Sequence, residues 1–494
     1  MSFILPSFNL DLLPDSLVKH DGGEYGLAHT DRGLCLVVLA SNLATLNNFE
    51  GKLSQDEHQV LLVGPLSPKN AAALRVQLPW LQPRLLGLRT SAGMGDRLGL
   101  ATPGHVRAIR AVGGKIAPIF AQQSMREMGR TNRTPQQVMD DATWGIFSEG
   151  WKGDFGADAD HLKSIDDIDI CLDAGFTFFT IDPGAYVNNQ AETASLKELR
   201  ELSDKLPVEV QPYSTGLMNK TYKIEGLSLH FDEVTLLKAA AKYGQAVAHV
   251  SAMYQHLVET TGKRPYELEV SVDETDQPTS HTEHLYIASE LKRFGVHWVS
   301  LAPRFIGRFE KGVDYIGNIA AFETSLAGHA AIARQFGPYK LSLHSGSDKF
   351  SIYPAIVHQT RGMVHLKTAG TSYLEALRTV AMVEPEFFAE IYIFARERYE
   401  ADRASYHVSA ELEHAPLLDV VVDWPGLLEQ FDAREIMHVT FGSILTHRST
   451  SGQLRFYDRF MDILRMNSEA YAFNLEKHFR KHLEPFQAGV QQWN

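Results

Sequence analysis

Gly153-Asp154-Phe155-Gly156-Ala157-Asp158-Ala159-Asp160-His161-Leu162-Lys163 sets a carboxylate directly beside an imidazole where the chain reads as a strand ending at Asp160. Side chains at the carboxyl ends of parallel strands face the cleft in which barrel enzymes do their chemistry, so Asp160 and His161 there would reach one small ligand together. In isolation the pair reads first as a capping carboxylate and a solvated histidine. Its surroundings decide between the two readings.

Outward from this stretch, further strand-like segments fall at Leu85–Arg89 and Lys115–Phe120, and others end at Ile181-Asp182, Val272-Asp273-Glu274, Leu301, His344 and Lys367. Most are separated by stretches long enough for a helix. Thr102-Pro103 opens one such helix and Gly113-Gly114 closes it, while Thr134-Pro135-Gln136-Gln137 supplies a capping box for another. Eight strands alternating with helices predict a TIM-like (β/α)₈ barrel, with an open doubly wound sheet as the alternative. The expected organisation is a small N-terminal α/β unit over 1–83, a catalytic barrel over 84–370, and a C-terminal helical extension over 371–494. The N-terminal unit holds apolar runs at Gly33–Ala40 and Val60–Val63. Residues 185–264 read as a long insertion after the fourth strand, placed to act as a lid.

The 494 residues are 44% hydrophobic, enough for a full core, and carry a formal charge of -13 without a dense Lys/Arg stripe. That balance points away from nucleic acid and membrane surfaces and toward a small-molecule substrate. Two cysteines, Cys35 and Cys171, make no disulfide framework and fit a reducing compartment. The start lacks a basic and then apolar leader, and no apolar run approaches the roughly 18 residues a membrane span needs, so a cytoplasmic location is expected. Nothing in the sequence signals an oligomeric state.

The candidate chemistry clusters at strand ends. His344, in Leu341-Ser342-Leu343-His344-Ser345-Gly346-Ser347, is a second imidazole beside a hydroxyl-rich turn, and with His161 it makes a candidate metal pair. Glu274 closes an acidic cluster and is the preferred second catalytic carboxylate beside Asp160. Asp182, in an Asp-Pro-Gly turn, is second choice, and Glu267 and Glu269 share one strand face with a structural role as the equal reading. Arg304 suits a substrate carboxylate, with Lys349 and Lys367 as weaker candidates of that kind. Gln123 and Ser345 complete the expected substrate contacts. Ser91–Gly99 fails the dinucleotide fingerprint, since Leu98 stands where its third glycine belongs.

Taken together, SAGMGDRLGLATPGH, QQSMREMGRTNRTP, DFGADADHLK, EVSVDETD, SLAPRF and LHSGSDKFS resemble the tagaturonate epimerase family, over most of the chain. The resemblance implies interconversion of D-tagaturonate and D-fructuronate with a divalent metal, and a distant similarity to metal-dependent class II ketose aldolases. Asp160-His161 and His344–Ser347 resemble the metal-site segments of those aldolases. Their middle histidine ligand has no counterpart here between His161 and His344, leaving Glu310, Asp182 and Glu269 as third-ligand candidates. Histidine plus carboxylate suits zinc, manganese, nickel or iron. The two hexuronates differ at the hydroxyl-bearing carbon β to the ketone, whose hydrogen that carbonyl does not acidify. A retro-aldol and aldol sequence is therefore expected, with Asp160 accepting a proton and Glu274 donating one. The alternatives are an aldolase of a related keto sugar acid and a non-catalytic carbohydrate-binding barrel; a phosphorylated substrate fits Ser345-Gly346-Ser347 less well than a free carboxylate fits Arg304.

Overall fold

A computed structural model describes residues 4–31, 33–55, 59–368, 370–418 and 423–490. Eight parallel strands close into a barrel: β1 (Ser91–Gly93), β2 (Ala117–Ser124), β3 (Gly156–Leu162), β4 (Phe178–Ile181), β5 (Glu267–Val272), β6 (Ser300–Pro303), β7 (Lys340–Leu343) and β8 (Val364–Lys367). Each pairs with its sequence neighbours, and β8 docks beside β1 to shut the ring. A helix follows every strand, as right-handed parallel crossovers require. Both expected helix starts are present: Thr102–Ala111 carries Pro near its first turn, and Thr134 caps Pro135–Ser148 in a capping box with Gln137.

The first two strands depart most from the sequence expectation, while those expected to end at Asp160 and Leu301 run two residues further, to Leu162 and Pro303. Leu85–Arg89 is not a strand, because the Glu267 carboxylate accepts from the backbone N–H of both Leu86 (3.0 Å) and Gly87, and Gly87 turns the chain at φ 59°. The first strand starts later, at Ser91. The second runs on through Gln122, Gln123 and Ser124, so these residues belong to the wall itself.

The barrel interior is polar. Lys340 donates to Ser91 Oγ at 2.9 Å, Ser91 meets His365 Nδ1 at 2.9 Å, and Lys367 lies above them among buried carboxylates. Such interiors are usually filled by branched aliphatic side chains, so charge pairing replaces apolar interdigitation along part of this axis.

Residues 185–264 do not form a lid. Their long helix, Glu233–Thr261, packs along the flank beside Ile165–Ala174 and His281–Arg293 as the barrel's own fourth helix, with Leu196–Asp204 against it, while the hairpin Thr221–Ile224 with Leu227–His230 packs on His281–Arg293 and Ile319–Phe336. The N-terminal part is a six-stranded antiparallel sheet with one α-helix, Pro68–Gln77. The two apolar runs read from sequence form Gly33–Ala40 and Val60–Gly64 within it. After Thr371–Val383, further helices pack on the barrel, and the last, Ser468–Val490, crosses Thr102–Ala111 so closely that a Cβ on Gly104 would collide with Leu475. Cys35 and Cys171 are buried free thiols. Among the described residues no helix is long and apolar enough to cross a membrane.

Candidate active site

The carboxyl ends of β3, β5, β7 and β8 deliver the reactive side chains. His161, next to last in β3, has φ 54°, a left-handed backbone that turns its ring out of the strand's alternation. Its ring stands edge-on to that of His344, with centroids 4.9 Å apart. Ligand atoms of Asp160, His161 and His344 lie within 4.8 Å of one another. His161 Nδ1 makes no hydrogen bond although Asp182 Oδ2 is 3.4 Å away, and Glu269 Oε2 is likewise buried without a partner. His344 Nε2 lies 2.7 Å from Glu269 Oε1 and its Nδ1 lies 3.3 Å from Asp273. An imidazole backed by a carboxylate is the usual support of a metal-ligating histidine, so these residues fit a divalent cation.

Charge at the centre is tightly balanced. Lys367 Nζ donates to Asp160 Oδ1 (2.6 Å) and Thr180 Oγ1 (2.7 Å), and lies 2.9 Å from both Asp158 and Glu269. Burial opposes charge on Asp160, yet His161, Lys367 and His344 hold its carboxyl well below the usual carboxylate range. Burial also opposes charge on His344, but Asp273 above all pushes this imidazole up to about 10. Gln122 Nε2 donates to the second Asp160 oxygen at 3.2 Å.

A cavity of about 500 Å³ opens over this centre, lined by His161, Asp273, Glu274, Arg304, Glu310, Lys311, His344 and Ser345, with Tyr406 and His407 from the C-terminal extension. A narrower recess continues from it to Asp160, Glu127 and Lys367. Glu274 sits at the rim, 3.1 Å from Arg126 and 3.6 Å from Lys163. No residue of 185–264 contributes to either lining. The walls come from the loops after β5 and β6 and from Tyr406–His407, a segment held by Ser409, whose N–H and Oγ both donate to Glu310 at 2.7 Å.

The structure thus brings together Asp160, His161, His344, Glu274, Arg304 and Ser345. It does not bring Gln123 or Lys349 to the cavity. Gln123 donates to Glu127 at 2.9 Å, because alternation along β2 gives the Asp160 side to Gln122. Lys349 is fully buried and spends its ammonium on the carbonyl oxygens of Glu310, Val313 and Ser347, a bracing role for two loops. Among the third-ligand candidates, Glu269 and Asp182 flank the histidines, whereas Glu310 lines the cavity with its carboxylate bonded to Ser409. Asp182 also makes the turn read from sequence, accepting from Gly184 N–H at 2.8 Å. Asp273, Glu127, Arg126, Lys311 and Tyr406 escaped sequence reading; of these only Asp273, inside the acidic run before Glu274, carried a local signal.

A second cluster, Asp348, His478 and His482, is also compact enough for a cation. Arg434 already stands 3.2 Å from the Asp348 carboxylate, and His482 Nε2 accepts from Asp348 N–H at 2.9 Å. These contacts tie the loop after His344 to the last helix.

The tagaturonate epimerase (UxaE) family model matches residues 13–486. The chain belongs to the tagaturonate epimerase family. Within that family, the tagaturonate/fructuronate epimerase of Thermotoga maritima is 46% identical over 418 residues, 84% of this chain and 84% of that protein. The native crystal structure of fructuronate-tagaturonate epimerase UxaE from Cohnella laeviribosi is 37% identical, with a TM-score of 0.91 over 98% of this chain and 97% of that one. A form of the same epimerase complexed with two glycerols matches with the same score. The closed barrel described above is therefore the fold of the tagaturonate epimerases.

Proposed function

We propose that this chain interconverts tagaturonate and fructuronate by breaking and remaking the carbon–carbon bond between the positions α and β to the ketone. The observation that carries the reading is the convergence of Asp160, His161 and His344 below a partly open cavity lined by charged side chains, in a chain that is 46% identical to a tagaturonate/fructuronate epimerase. His161 and His344 would hold a divalent cation, with Glu269 or Asp182 as the neighbouring carboxylate. When bound, such a cation supplies electrophilic polarisation of the substrate ketone.

The chain's own groups handle the protons. Asp160, kept ionised beside Lys367, accepts the proton of the β-hydroxyl as the bond breaks to leave a three-carbon enediolate and a three-carbon aldehyde acid. Rotation of the aldehyde exposes its other face, and the new hydroxyl forms at a different place in the site. Glu274, at the rim between Arg126 and Lys163, supplies its proton there. In the reverse direction the two carboxylates exchange roles. The walls from the loops after β5 and β6 and from Tyr406 keep the fragments together.

The test is metal analysis of the purified protein together with assays of both hexuronates before and after chelation. Interconversion that disappears on chelation and returns on readdition is expected, with the epimer as product. Accumulating three-carbon fragments would make the protein an aldolase instead. Full activity after complete metal removal would sink the metal assignment, and stoichiometric deuterium uptake from heavy water at the inverted carbon would argue against bond cleavage.

A further inference from the structure

Four cationic side chains line the cavity: Arg126, Arg304, Arg308 and Lys311. Three of them are engaged. Arg126 pairs with Glu274 at 3.1 Å, Arg304 Nη1 donates to the Asp273 carbonyl at 3.3 Å, and Arg308 Nε lies 3.4 Å from Glu310. Lys311 has no hydrogen-bond or ion-pair partner among the described residues, yet it is the one of the four besides Arg126 that reaches both the cavity and the recess leading to Asp160. Glu127 and Asp273 favour its charge only from beyond ion-pair distance, so its three donors are unmet in the ligand-free protein and a bound anion would supply the hydrogen bonds that burial withholds.

A hexuronate carries its fixed negative charge at one end and its ketone near the other. The histidines and carboxylates at the barrel mouth suit the ketone and hydroxyl oxygens, so the carboxylate needs a separate cation on the wall. We propose that Lys311, rather than Arg304, meets the substrate carboxylate and orients the sugar acid over the centre. This assignment rests on the hexuronate reading above and adds the group that selects an acid over a neutral ketose.

The test compares Lys311→Met, Lys311→Arg and Arg304→Met with the unaltered enzyme on both hexuronates. Loss of one charge-assisted contact predicts a KM for Lys311→Met raised roughly 10- to 100-fold, with kcat kept within about threefold. Lys311→Arg is expected to recover most of the loss, and Arg304→Met to change KM less than Lys311→Met does. The ligand-free Lys311→Met protein is also expected to melt no lower than the parent, since no native contact is removed. An unchanged KM in Lys311→Met, or a loss confined to kcat, would overturn the proposal, as would a larger KM effect from Arg304→Met. Failure of the unaltered enzyme to turn over either hexuronate would instead strike the functional reading and leave these arms to be read as binding constants for the same acids, where the Lys311→Met ratio decides as before.

Discussion

Lys367 carries the charge balance of the centre: one ammonium from β8 meets Asp160 and Asp158 of β3 and Glu269 of β5. Burial opposes its charge, but these carboxylates, Asp158 first, push it well above the usual lysine range. Removing one member of a buried ionic cluster leaves the others uncompensated, which typically costs about 3–5 kcal/mol. Lys367→Met is therefore expected to lower the unfolding free energy measured in urea by that order and to abolish turnover, because Asp160 loses its 2.6 Å contact. A variant with parental stability and activity would show that the cluster is held by other means. Sequence reading ranked Lys367 among weak candidates for the substrate carboxylate. Its position at a strand end was legible, but its partners lie on strands about a hundred and two hundred residues away, and no local pattern records that pairing.

At the scale of elements, the contact between Thr102–Ala111 and Ser468–Val490 depends on Gly104, whose missing side chain admits Leu475. A methyl there would push apart a helix pair whose C-terminal member also holds Asp348 through His478 and His482. Gly104→Ala is expected to destabilise by about 1–3 kcal/mol, as overpacking typically does. It is also expected to lower kcat, since Asp348 lies four residues beyond His344; thermal melts and steady-state assays check both. Strand ends were largely legible because extended segments stop at or within two residues of the candidate site residues, as at Asp160-His161 and His344. The first strand was misplaced because Glu267, far along the chain, takes the N–H groups of Leu86 and Gly87. Lys349 was misassigned for a similar reason: its turn points the side chain inward to carbonyls of a loop read separately. The lid was read from the length of the segment after β4 and its position between the fourth and fifth strands, whereas much of that segment is consumed by a flank helix.

For the whole molecule, buried neutral histidines set the acid limit. His105, bonded to Ser372 at 2.8 Å, is lowered by burial to about 4, and His284, between His329 and Tyr339, is lowered by burial to about 3. In the unfolded chain both take up a proton near the ordinary value of 6.5. Between those limits the unfolded chain binds more protons, so stability falls as pH drops from about 6.5, by up to about 1.4 kcal/mol per pH unit for each group. Depressed carboxylates such as Asp348 act in a separate window, their contribution being lost only as pH falls below the ordinary carboxylate value. Urea midpoints measured from pH 7 to 4.5 are expected to decline steadily. His105→Gln, which keeps a partner for Ser372, is expected to flatten that decline by about one proton; an unchanged slope would show that His105 is not the sensor.

The eighth strand has a consequence for how the enzyme comes into being. β8 docks between β7 and β1 and brings Lys367 to acids laid down on β3 and β5. During synthesis those acids emerge about one hundred to two hundred residues before their countercharge, and the carboxylates of the third and fifth strands, which flank the fourth, face one another unbalanced until the ring shuts. Charge balance at the centre is thus completed by the final stave of the barrel. A chain interrupted between β7 and β8 holds the two histidines without the Lys367 countercharge of Asp160, and so lacks part of the machinery that the proposed bond cleavage would use.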